Sequence, residues 1–584
     1  MLEEIDWSGL THAYGPADDV PKLLRHATDH LDELWDRLFG QGVVYPATVA
    51  AVPFIADLAR TAPARRAEFA WMLGMLADPR HASGDSFEAV RAAVTAQPPL
   101  PLDDPDPEVR AAAAYVLAQT GGPATALHER AGVEEDPKVR ASLMLALGKL
   151  DPDGTAGRFA HCRSAEERFA AALAATRAGR PLPAGAAAAV ATAISEGIDV
   201  DYAWMDGEPA DELIVPATDP MATDLVSALT ISPDPEIRQA AVFAVSERAL
   251  RRRSTPALLV PLVAPLLADP DPRVRREVIS TLRGCGAAAA PYREEIAAVA
   301  ARYPEISGSR AITAERQALE TLIWLGDPRW VDLAPTARDT RRMTFTPEAL
   351  DAVRRRLVEH PHLAHVLGSW GHHAADAVPE LLAILPRAGR AASLALARIG
   401  HHVAEALPHL REPAVEGDLD AAAAIRRLTG DTQPLLDALD AAFRRPSSTR
   451  WPAGLDDAGD ELRPLVPVAF PHLTGEAAQT HAERMTQILA ARLAAATGNT
   501  GGALPTLRAL VTDDGHHAIG DAAELLADLG GPDERLAERL DELVTREQRL
   551  IASGVAADIV WHDEALSERL RAAARRVRQV GSSS

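Results

Sequence analysis

Apolar positions along this chain recur every three or four residues, in runs that open with the same short polar motif. The first run places Val109, Ala113, Val116 and Leu117 on one side of a helix, which is the spacing of an amphipathic α-helix. The motif before each run, here called the Asp-Pro motif, reads Asp-Pro-x-(Val/Ile)-Arg and occurs at 106–110, 136–140, 234–238 and 271–275. A recurring helix start predicts a repeat architecture.

The Asp-Pro motif has the composition of a helix N-terminus. Asp106 can accept hydrogen bonds from free backbone amides, and Pro107 fits the first helical position because no donor is needed there. Glu108 complements the positive end of the helix dipole. Gly121 and Gly122 then predict the end of the helix, since glycine favours left-handed caps. The spacing between neighbouring motifs fits paired-helix repeats.

A second pattern marks the other helix of each predicted pair. It reads x-Pro-x-(Leu/Ile) and occurs at 52–55, 378–381, 407–410 and 504–507. A proline early in a helix sets its start or bends it. Because no strand-rich segment is apparent, we predict an all-α fold: a curved, right-handed α-solenoid of helical hairpins.

These patterns resemble the HEAT-repeat family, including the bacterial HEAT-like repeats related in sequence to phycobilin lyases. Segments 5–24 and 40–58 also resemble the opening of many bacterial HEAT-repeat proteins, which implies a member of actinobacterial type. In that family the aspartate and arginine of successive repeats form a ladder along the inner helices. The resemblance therefore implies structural roles for Asp106, Arg110, Asp136, Arg140, Asp234, Arg238, Asp271 and Arg275.

The chain divides into segments where the repeat pattern of helices is kept and segments where it is interrupted. We expect repeats in four of them: N-terminal capping repeats over 1–103, HEAT-like repeats over 104–197 and 225–442, and C-terminal repeats with a cap over 472–580. The remaining segments are an acidic insertion at 198–224, a Pro-rich irregular connection at 443–471 and a flexible tail at 581–584. Long irregular segments inside a repeat array are often functional.

The charge balance narrows the class of partner. The 584 residues hold 60 Lys and Arg against 83 Asp and Glu, which gives a net charge of −23. Nucleic-acid binding depends on basic surface, so we expect another protein or a peptide, of basic character, rather than nucleic acid. No signal peptide and no apolar run long enough to span a bilayer is apparent. The expected location is the cytoplasm, with no cofactor and no membrane contact.

The acidic insertion at 198–224 is the strongest candidate for a partner-binding site. It contains no Lys or Arg, and acids beside aromatic and Met side chains can attract and anchor a basic partner. The predicted binding residues are Tyr202, Trp204, Met205, Asp206, Glu208, Asp211 and Glu212. The alternative is a loop that folds over its own repeats, with Trp204 filling a gap. A calcium site is disfavoured because the aspartates miss the EF-hand spacing.

Histidine doublets are the weaker candidates for a metal site. His372 and His373 occupy a turn equivalent to that of His401 and His402, one repeat later. Neighbouring helices pack about 8–10 Å apart, so these imidazoles could share a metal. Zinc requires three or four converging ligands, and the pattern does not supply them. The alternative is a pair of solvated polar turns.

Three other groups of residues could carry chemistry. His12, Tyr14 and Asp19 could form an acid–base set or belong to a capping repeat. The arginine runs 251–253 and 354–356 could bind phosphate or an acidic peptide, or form ion pairs between repeats. Basic neighbours could lower the pKa of Cys162. No recognised catalytic motif accompanies any of them.

A long concave surface without a deep pocket favours binding an extended partner. We therefore predict a non-catalytic protein–protein interaction scaffold or adaptor, with an immunity or accessory protein as a narrower version. The alternative is a HEAT-fold enzyme of DNA glycosylase or lyase type, since fold does not exclude catalysis. A basic groove containing an acid would favour the glycosylase.

Overall fold

The computed structural model of the chain describes residues 2–155, 157–198, 200–302, 313–333, 344–401, 404–416 and 418–431, and then 433–434, 437, 487–488, 500–512, 518–531, 533–550 and 556–579. The predicted Pro-rich connection at 443–471, the tail at 581–584 and His402 lie outside these residues. The chain divides into two compact units, unit 1 over Met1–Arg248 and unit 2 over Ala249–Ser584.

Helices account for nearly all regular structure in the described part of the chain, as the sequence predicts. Two short antiparallel strand pairs lie near the start: β1 (Thr11–His12) with β2 (Gly15–Pro16), and β3 (Phe39–Gly40) with β4 (Val43–Val44). No helix among the described residues is both long enough and apolar enough to cross a membrane.

The first helices of the chain are α1 (Val20–Arg25), α2 (Leu31–Leu38), α3 (Pro46–Thr61), α4 (Arg66–Leu76), α5 (Phe87–Thr95), α6 (Pro107–Thr120), α7 (Ala124–Val133), α8 (Pro137–Leu150), α9 (Pro152–Thr155), α10 (Ala165–Arg177), α11 (Ala186–Glu196), α12 (Pro209–Ile214), α13 (Asp219–Leu229) and α14 (Pro235–Arg251). Within unit 1, α4, α6, α8 and α10 pack side by side in chain order, and they form the row on which the insertion lies.

The helices that follow are α15 (Thr255–Val263), α16 (Pro272–Arg283), α17 (Arg293–Ala300), α18 (Ala314–Trp324), α19 (Trp330–Leu333), α20 (Pro347–Arg356), α21 (Ala364–Trp370), α22 (Val378–Ile384), α23 (Gly389–Ile399), α24 (Pro408–Val415), α25 (Leu419–Thr429), α26 (Thr500–Thr512), α27 (Ile519–Leu529), α28 (Glu534–Thr545) and α29 (Ala556–Gln579). The same side-by-side packing of alternate helices recurs in this unit, with α21 against α23 and α23 against α25, and consecutive helices such as α24 and α25 form hairpins. The architecture is an all-α solenoid of helical hairpins.

Small residues allow close packing in the row of unit 1. Gly148 on α8 faces Ala174 on α10 so closely that an added Cβ would collide with the Ala174 side chain. Both α6 and α8 are buried around most of their circumference. A helix that is apolar on all sides is a buried helix, which indicates that something covers both faces of this row.

The four aspartates of the Asp-Pro motif cap their own helices. Asp106 accepts a hydrogen bond from the backbone N–H of Glu108 at 3.0 Å, and Asp136 accepts from that of Lys138 at 3.0 Å. Asp234 and Asp271 accept in the same way from the second residue beyond each of them. Because these carboxylates face backbone amides, they do not supply the acidic side of an Asp–Arg ladder.

The arginines of the motif have a common role that the sequence did not reveal. In all four copies the Nη1 atom donates to the carbonyl oxygen six residues earlier, with Arg110 at 2.9 Å, Arg140 at 3.1 Å, Arg238 at 2.8 Å and Arg275 at 2.6 Å. Each arginine therefore closes the loop that leads into its own helix.

Ion pairs between repeats do exist in unit 1, but with other acids than the resemblance implies. The pairs join Arg66 to Asp104 at 2.7 Å, Arg110 to Glu134 at 2.8 Å and Arg140 to Glu167 at 3.0 Å. Two of these acids stand two residues before a capping aspartate, and the third lies in the first turn of α10. In unit 1 each of these arginines therefore pairs with an acid just before or within the first turn of the next helix of the row, because the capping carboxylate is already engaged.

Unit 2 contains a contact between segments that are far apart in sequence. Arg253 donates to both oxygens of Asp563 at 2.8 Å, across 310 positions. Arg549 reaches the same carboxylate at 3.0 Å, and the Asp563 residue is only 1% exposed. Trp561 donates through Nε1 to the carbonyl of Arg283 at 2.7 Å. The last helix, α29, thus returns to the helices that open unit 2.

Gly286 lies in this contact, and a substitution at this position tests whether the contact forms. Its φ of +63° is left-handed, and an added Cβ would collide with the Glu564 carboxylate that accepts the N–H of Ala287. We expect Gly286→Ala to lower the free energy of unfolding by about 2 kcal/mol, of which backbone strain supplies about 1 and loss of the Ala287 N–H bond to the displaced Glu564 carboxylate about 1. Gly430→Ala is the matched control, because Gly430 has φ +77° and open space around it. Equal losses in denaturant unfolding would contradict the contact.

Candidate partner-binding site

The acidic insertion is anchored to the row of unit 1 by Trp204. This side chain is 2% exposed, and its Nε1 donates to the hydroxyl oxygen of Ser142 on α8 at 2.8 Å. Its ring meets that of Tyr115 on α6 edge to face, with 4.7 Å between centroids. An indole that is buried with its N–H satisfied contributes packing without an unpaired donor. Trp204 thus covers the α6–α8 surface.

The backbone on either side of the Trp204 anchor is held by cations. Arg80 donates to the carbonyl oxygens of Ala203 at 2.7 Å and Trp204 at 2.9 Å. Arg177, the last residue of α10, donates to the Trp204 carbonyl at 2.6 Å. The Nε2 atom of His81 lies 2.9 Å from the Ala203 carbonyl, which it reaches as a donor. These bonds fix the path of the insertion.

Asp78 orients Arg80 through an ion pair. Its carboxylate is 1% exposed, pairs with Arg80 at 2.7 Å and accepts from the Tyr115 hydroxyl at 2.8 Å. Burial alone would raise the pKa of Asp78, but the hydrogen bonds and charge of Arg80 outweigh it and hold that pKa below its ordinary value. Burial, together with the charge of Asp78, raises the pKa of Tyr115. The Asp78 carboxylate is therefore charged, and Arg80 and Tyr115 both donate hydrogen bonds to it.

Glu212 holds the backbone of the insertion in place. It pairs with Arg177 at 2.6 Å and accepts from the backbone amides of Asp206 at 3.1 Å and Gly207 at 3.2 Å. Asp201 holds the turn from the other side, with φ +92° and a bond from the Ala203 amide at 2.9 Å. The turn at 201–207 is thus set by internal bonds.

Three predicted residues are exposed beside these anchors, and two of them lie against His81, whose ring centroid is 5.6 Å from that of Tyr202 and whose Nε2 is 3.9 Å from Oδ1 of Asp206. Tyr202 is 64% exposed, and Asp206 and Glu208 are exposed as well. These three residues are here called the insertion ridge. Met205 and Asp211 are half-buried beside it. The predicted site therefore divides into residues that hold the segment, Trp204 and Glu212, and residues that it displays.

Sequence reasoning missed Asp78, Arg80, Ser142 and Arg177, although one signal for two of them was present. The triplet Asp-Pro-Arg stands at 78–80, 271–273 and 327–329, and in each case the arginine folds back onto the aspartate. In the first and last copies the aspartate is buried. A buried Asp-Pro-Arg pair after a helix is a turn that orients an arginine.

The histidine doublets do not converge on a metal in the described residues. His372 and His373 have ring centroids 4.0 Å apart, and His373 stacks on Phe345 at 5.0 Å. His401 is exposed beyond the end of α23. No group of three or more His, Cys, Asp or Glu residues positioned for a metal was found in the part of the chain that is described.

The N-terminal histidine has both ring nitrogens in use. Nδ1 of His12 accepts from the Tyr14 backbone N–H at 2.9 Å, so Nε2 carries the proton and faces Asp19 at 2.9 Å. Arg37 also binds Asp19, at 2.9 Å. A general base needs an open nitrogen lone pair, so this arrangement favours the capping role over the acid–base set.

The arginine runs and cysteines also occupy structural positions. Arg354 pairs with Glu380 at 2.8 Å and Arg356 with Asp332 at 3.1 Å, which are ion pairs between neighbouring helices. Burial, with the charge of Glu167, raises the pKa of the Cys162 thiol to about 12. The charges of Arg140 and Arg168 lower this pKa, but burial outweighs them.

The comparisons with known proteins give distant structural likenesses. No protein-family model matches the sequence, and no curated protein matches it. Among solved structures the chain is similar to Kap121p bound to Pho4p, with 12% identity, 96% of this chain and 68% of that chain covered, and a TM-score of 0.37. It is also similar to yeast importin-beta, Kap95p, with 14% identity, coverages of 95% and 71%, and a TM-score of 0.30. At these values the likenesses carry no conclusion about function.

Proposed function

We propose that this protein is a non-catalytic interaction scaffold that binds a basic protein or peptide through the insertion ridge. The observation that carries the proposal is the division of the insertion into a buried anchor and an exposed ridge. Trp204 holds the segment while Tyr202 stands 64% exposed beside two carboxylates. An exposed aromatic on a fixed backbone costs little entropy when a partner binds it.

The negative charge of the insertion and of the whole chain favours a basic partner. Within the insertion, Glu212 pairs with Arg177, whereas Glu208 is exposed and Asp206 is exposed with Oδ1 3.9 Å from Nε2 of His81. The whole chain carries a net charge of −23, so its field attracts cations from a distance and speeds association at low salt. The predicted partner presents Lys or Arg side chains around an apolar groove for Tyr202.

Site-specific cross-linking tests this proposal directly. A photoreactive phenylalanine analogue at position 202 is expected to form a defined adduct with one protein of the native host upon irradiation. The same analogue at position 133 is the matched control, because Val133 is 71% exposed on another part of unit 1. Identical adducts from the two positions, or none from position 202, would contradict the ridge as the binding site.

A second candidate function, the glycosylase- or lyase-like enzyme, rests on an acid within a basic group of residues. Asp78 lies beside Arg80, with Lys149 and Arg177 close enough to interact. However, the Asp78 carboxylate is buried and engaged, so such an enzyme would first have to move the insertion. Base release from alkylated duplex DNA by the wild-type chain, lost in Asp78→Asn, would favour this candidate.

A further inference from the structure

The exposed ring of Tyr202 and the carboxylate of Asp206 both lie against one side chain, that of His81. The ring centroids of Tyr202 and His81 are 5.6 Å apart, and the Nε2 atom of His81 lies 3.9 Å from Oδ1 of Asp206. The His81 side chain is only 5% exposed. An aromatic ring and a carboxylate that meet the same imidazole are close to each other, and both are exposed to solvent. One side chain of a partner can therefore reach both of them.

Hydrogen bonds within the turn hold these two side chains in place before any partner binds. The backbone N–H of Met205 donates to the carbonyl oxygens of Asp201 at 3.1 Å and of Tyr202 at 3.2 Å. The backbone N–H of Asp206 donates to Glu212 at 3.1 Å. Because the turn is already ordered, a partner loses little of its binding free energy to ordering the segment.

The N-terminal segment contains the same three residue types, together with an arginine. His12 is buried, its Nε2 lies 2.9 Å from Oδ1 of Asp19, and its ring centroid is 6.2 Å from that of Tyr14. The Tyr14 residue is 70% exposed. The Cζ atom of Arg37 lies over the Tyr14 ring, 4.9 Å from its centroid, and Nε of Arg37 donates to Asp19 at 2.9 Å. One guanidinium thus stacks on an exposed tyrosine and binds the carboxylate beside it.

The group around Tyr202 does not have its own arginine in that position. In the described part of the chain, arginines lie over the rings of Tyr14 and Trp324, and none lies over the ring of Tyr202. Arg80 binds the main chain of the turn instead, since its guanidinium donates to Asp78 and to two backbone carbonyls. The exposed ring and its neighbouring carboxylate are thus accessible to a guanidinium from another molecule.

We propose that Tyr202 and Asp206 form a binding site for one arginine side chain of the partner. This inference rests on the proposed function, because the arginine belongs to the partner that the insertion ridge binds. The guanidinium stacks on the Tyr202 ring and donates to the Asp206 carboxylate, in the arrangement that Arg37 has in the N-terminal segment. A planar guanidinium stacks on an aromatic ring and matches a carboxylate, whereas the ammonium of lysine is a compact point charge. The site therefore prefers arginine to lysine.

Fluorine NMR of the full-length chain, labelled with fluorotyrosine, tests this site without the partner. The chain has six tyrosines, and Tyr202→Phe and Tyr14→Phe assign the two signals of interest. N-acetylarginine amide should move the Tyr202 signal at a roughly two- to fivefold lower concentration than N-acetyllysine amide, which has the same charge. The Tyr14 signal is the internal control and should not move, because Arg37 already lies over that ring.

Two substitutions that remove the same charge separate the arginine site from the general acidity of the ridge. Asp206→Asn should raise the concentration of arginine amide needed for a half-maximal shift by about two- to fivefold. Glu208→Gln is the matched control and should change it by less than about twofold, because the proposed contact uses Asp206. The proposal is overturned if the Tyr202 signal does not respond, if lysine amide moves it as readily, if the Tyr14 signal responds equally, or if both substitutions act alike.

The cross-linking result distinguishes failure of this site from failure of the proposed function. A partner adduct from position 202 without a preference for arginine amide would overturn the arginine site and leave the ridge as the binding site. A preference for arginine amide without a partner adduct would contradict the proposed function and support the local chemistry of Tyr202 and Asp206.

Discussion

Replacing Asp563 by alanine is expected to lower the free energy of unfolding of unit 2 by about 3–5 kcal/mol. The reason is that the substitution leaves Arg253 and Arg549 buried against each other without their shared carboxylate. It also removes the acceptor of the Leu550 backbone N–H, which lies 2.9 Å from Asp563. The loss should appear as faster amide hydrogen exchange in both α15 and α29, since Arg253 lies just before α15 and Asp563 lies within α29.

An exposed ion pair of the same unit is the control for this loss. Asp528 pairs with Arg576 at 2.6 Å, and both side chains are about half exposed. Asp528→Ala should cost only about 0–1 kcal/mol, because solvent screens the pair. If Asp563→Ala cost no more than Asp528→Ala, the return of α29 to the start of unit 2 would be contradicted.

The Asp563 contribution has a defined pH dependence. Burial alone would raise the pKa of Asp563, but hydrogen bonds and charge from Arg253 and Arg549 hold it below its ordinary value. A carboxyl with a lowered folded-state pKa stabilises the fold fully above its unfolded pKa of about 4. That stability is lost as pH falls through the lower folded value. The wild-type chain and Asp563→Ala should therefore converge in stability in strong acid and differ most at neutral pH.

Trp204→Ala is expected to lower the free energy of unfolding of unit 1 by about 3–5 kcal/mol. The substitution removes a buried ring from the Tyr115 contact and leaves a cavity over α6 and α8. The Ser142 hydroxyl also loses its indole donor, although it still donates to the Ala111 carbonyl at 2.8 Å. Denaturant unfolding measures the loss, and hydrogen exchange should place it in residues 200–212 and in α8.

Tyr202→Ala is the matched control in the same turn. Tyr202 is 64% exposed, so its removal should change stability by no more than about 0.5 kcal/mol. Comparable costs for the two substitutions would mean that the segment is held by something other than Trp204. A negligible cost for Trp204→Ala would show that the segment does not rest on the row of unit 1.

Local features of the fold were predictable because the residues involved are neighbours in sequence. The caps at Asp106 and Asp136 follow from aspartate and proline at a helix start, and the structure has them where the motif stands. Apolar spacing likewise indicated the all-α solenoid. The arginine that bonds six residues back, such as Arg110, was not foreseen, since no periodicity reports which carbonyl a guanidinium reaches.

Contacts across long stretches of chain could not be predicted in the same way. Nothing in the local pattern around Arg253 indicates that its partner is Asp563, 310 positions later. In the insertion, composition identified the segment and left two alternatives for Trp204, a partner contact or a gap filled over its own repeats, without a way to choose between them. Tyr202 and Trp204 are alike by residue type, and only the surface formed by α6 and α8 determines which is buried.

Affinity for the cross-linked partner tests the central claim most directly. The partner is purified, and its Kd is measured for the wild-type chain, for Tyr202→Ala/Asp206→Asn/Glu208→Gln, and for the control Val133→Ala/Asp103→Asn/Glu135→Gln, whose residues are equally exposed elsewhere in unit 1. The ridge variant should bind at least about tenfold more weakly, as expected for loss of an aromatic anchor and two charges, and the control should bind as wild type. Equal Kd values for all three chains would contradict the insertion ridge as the binding site.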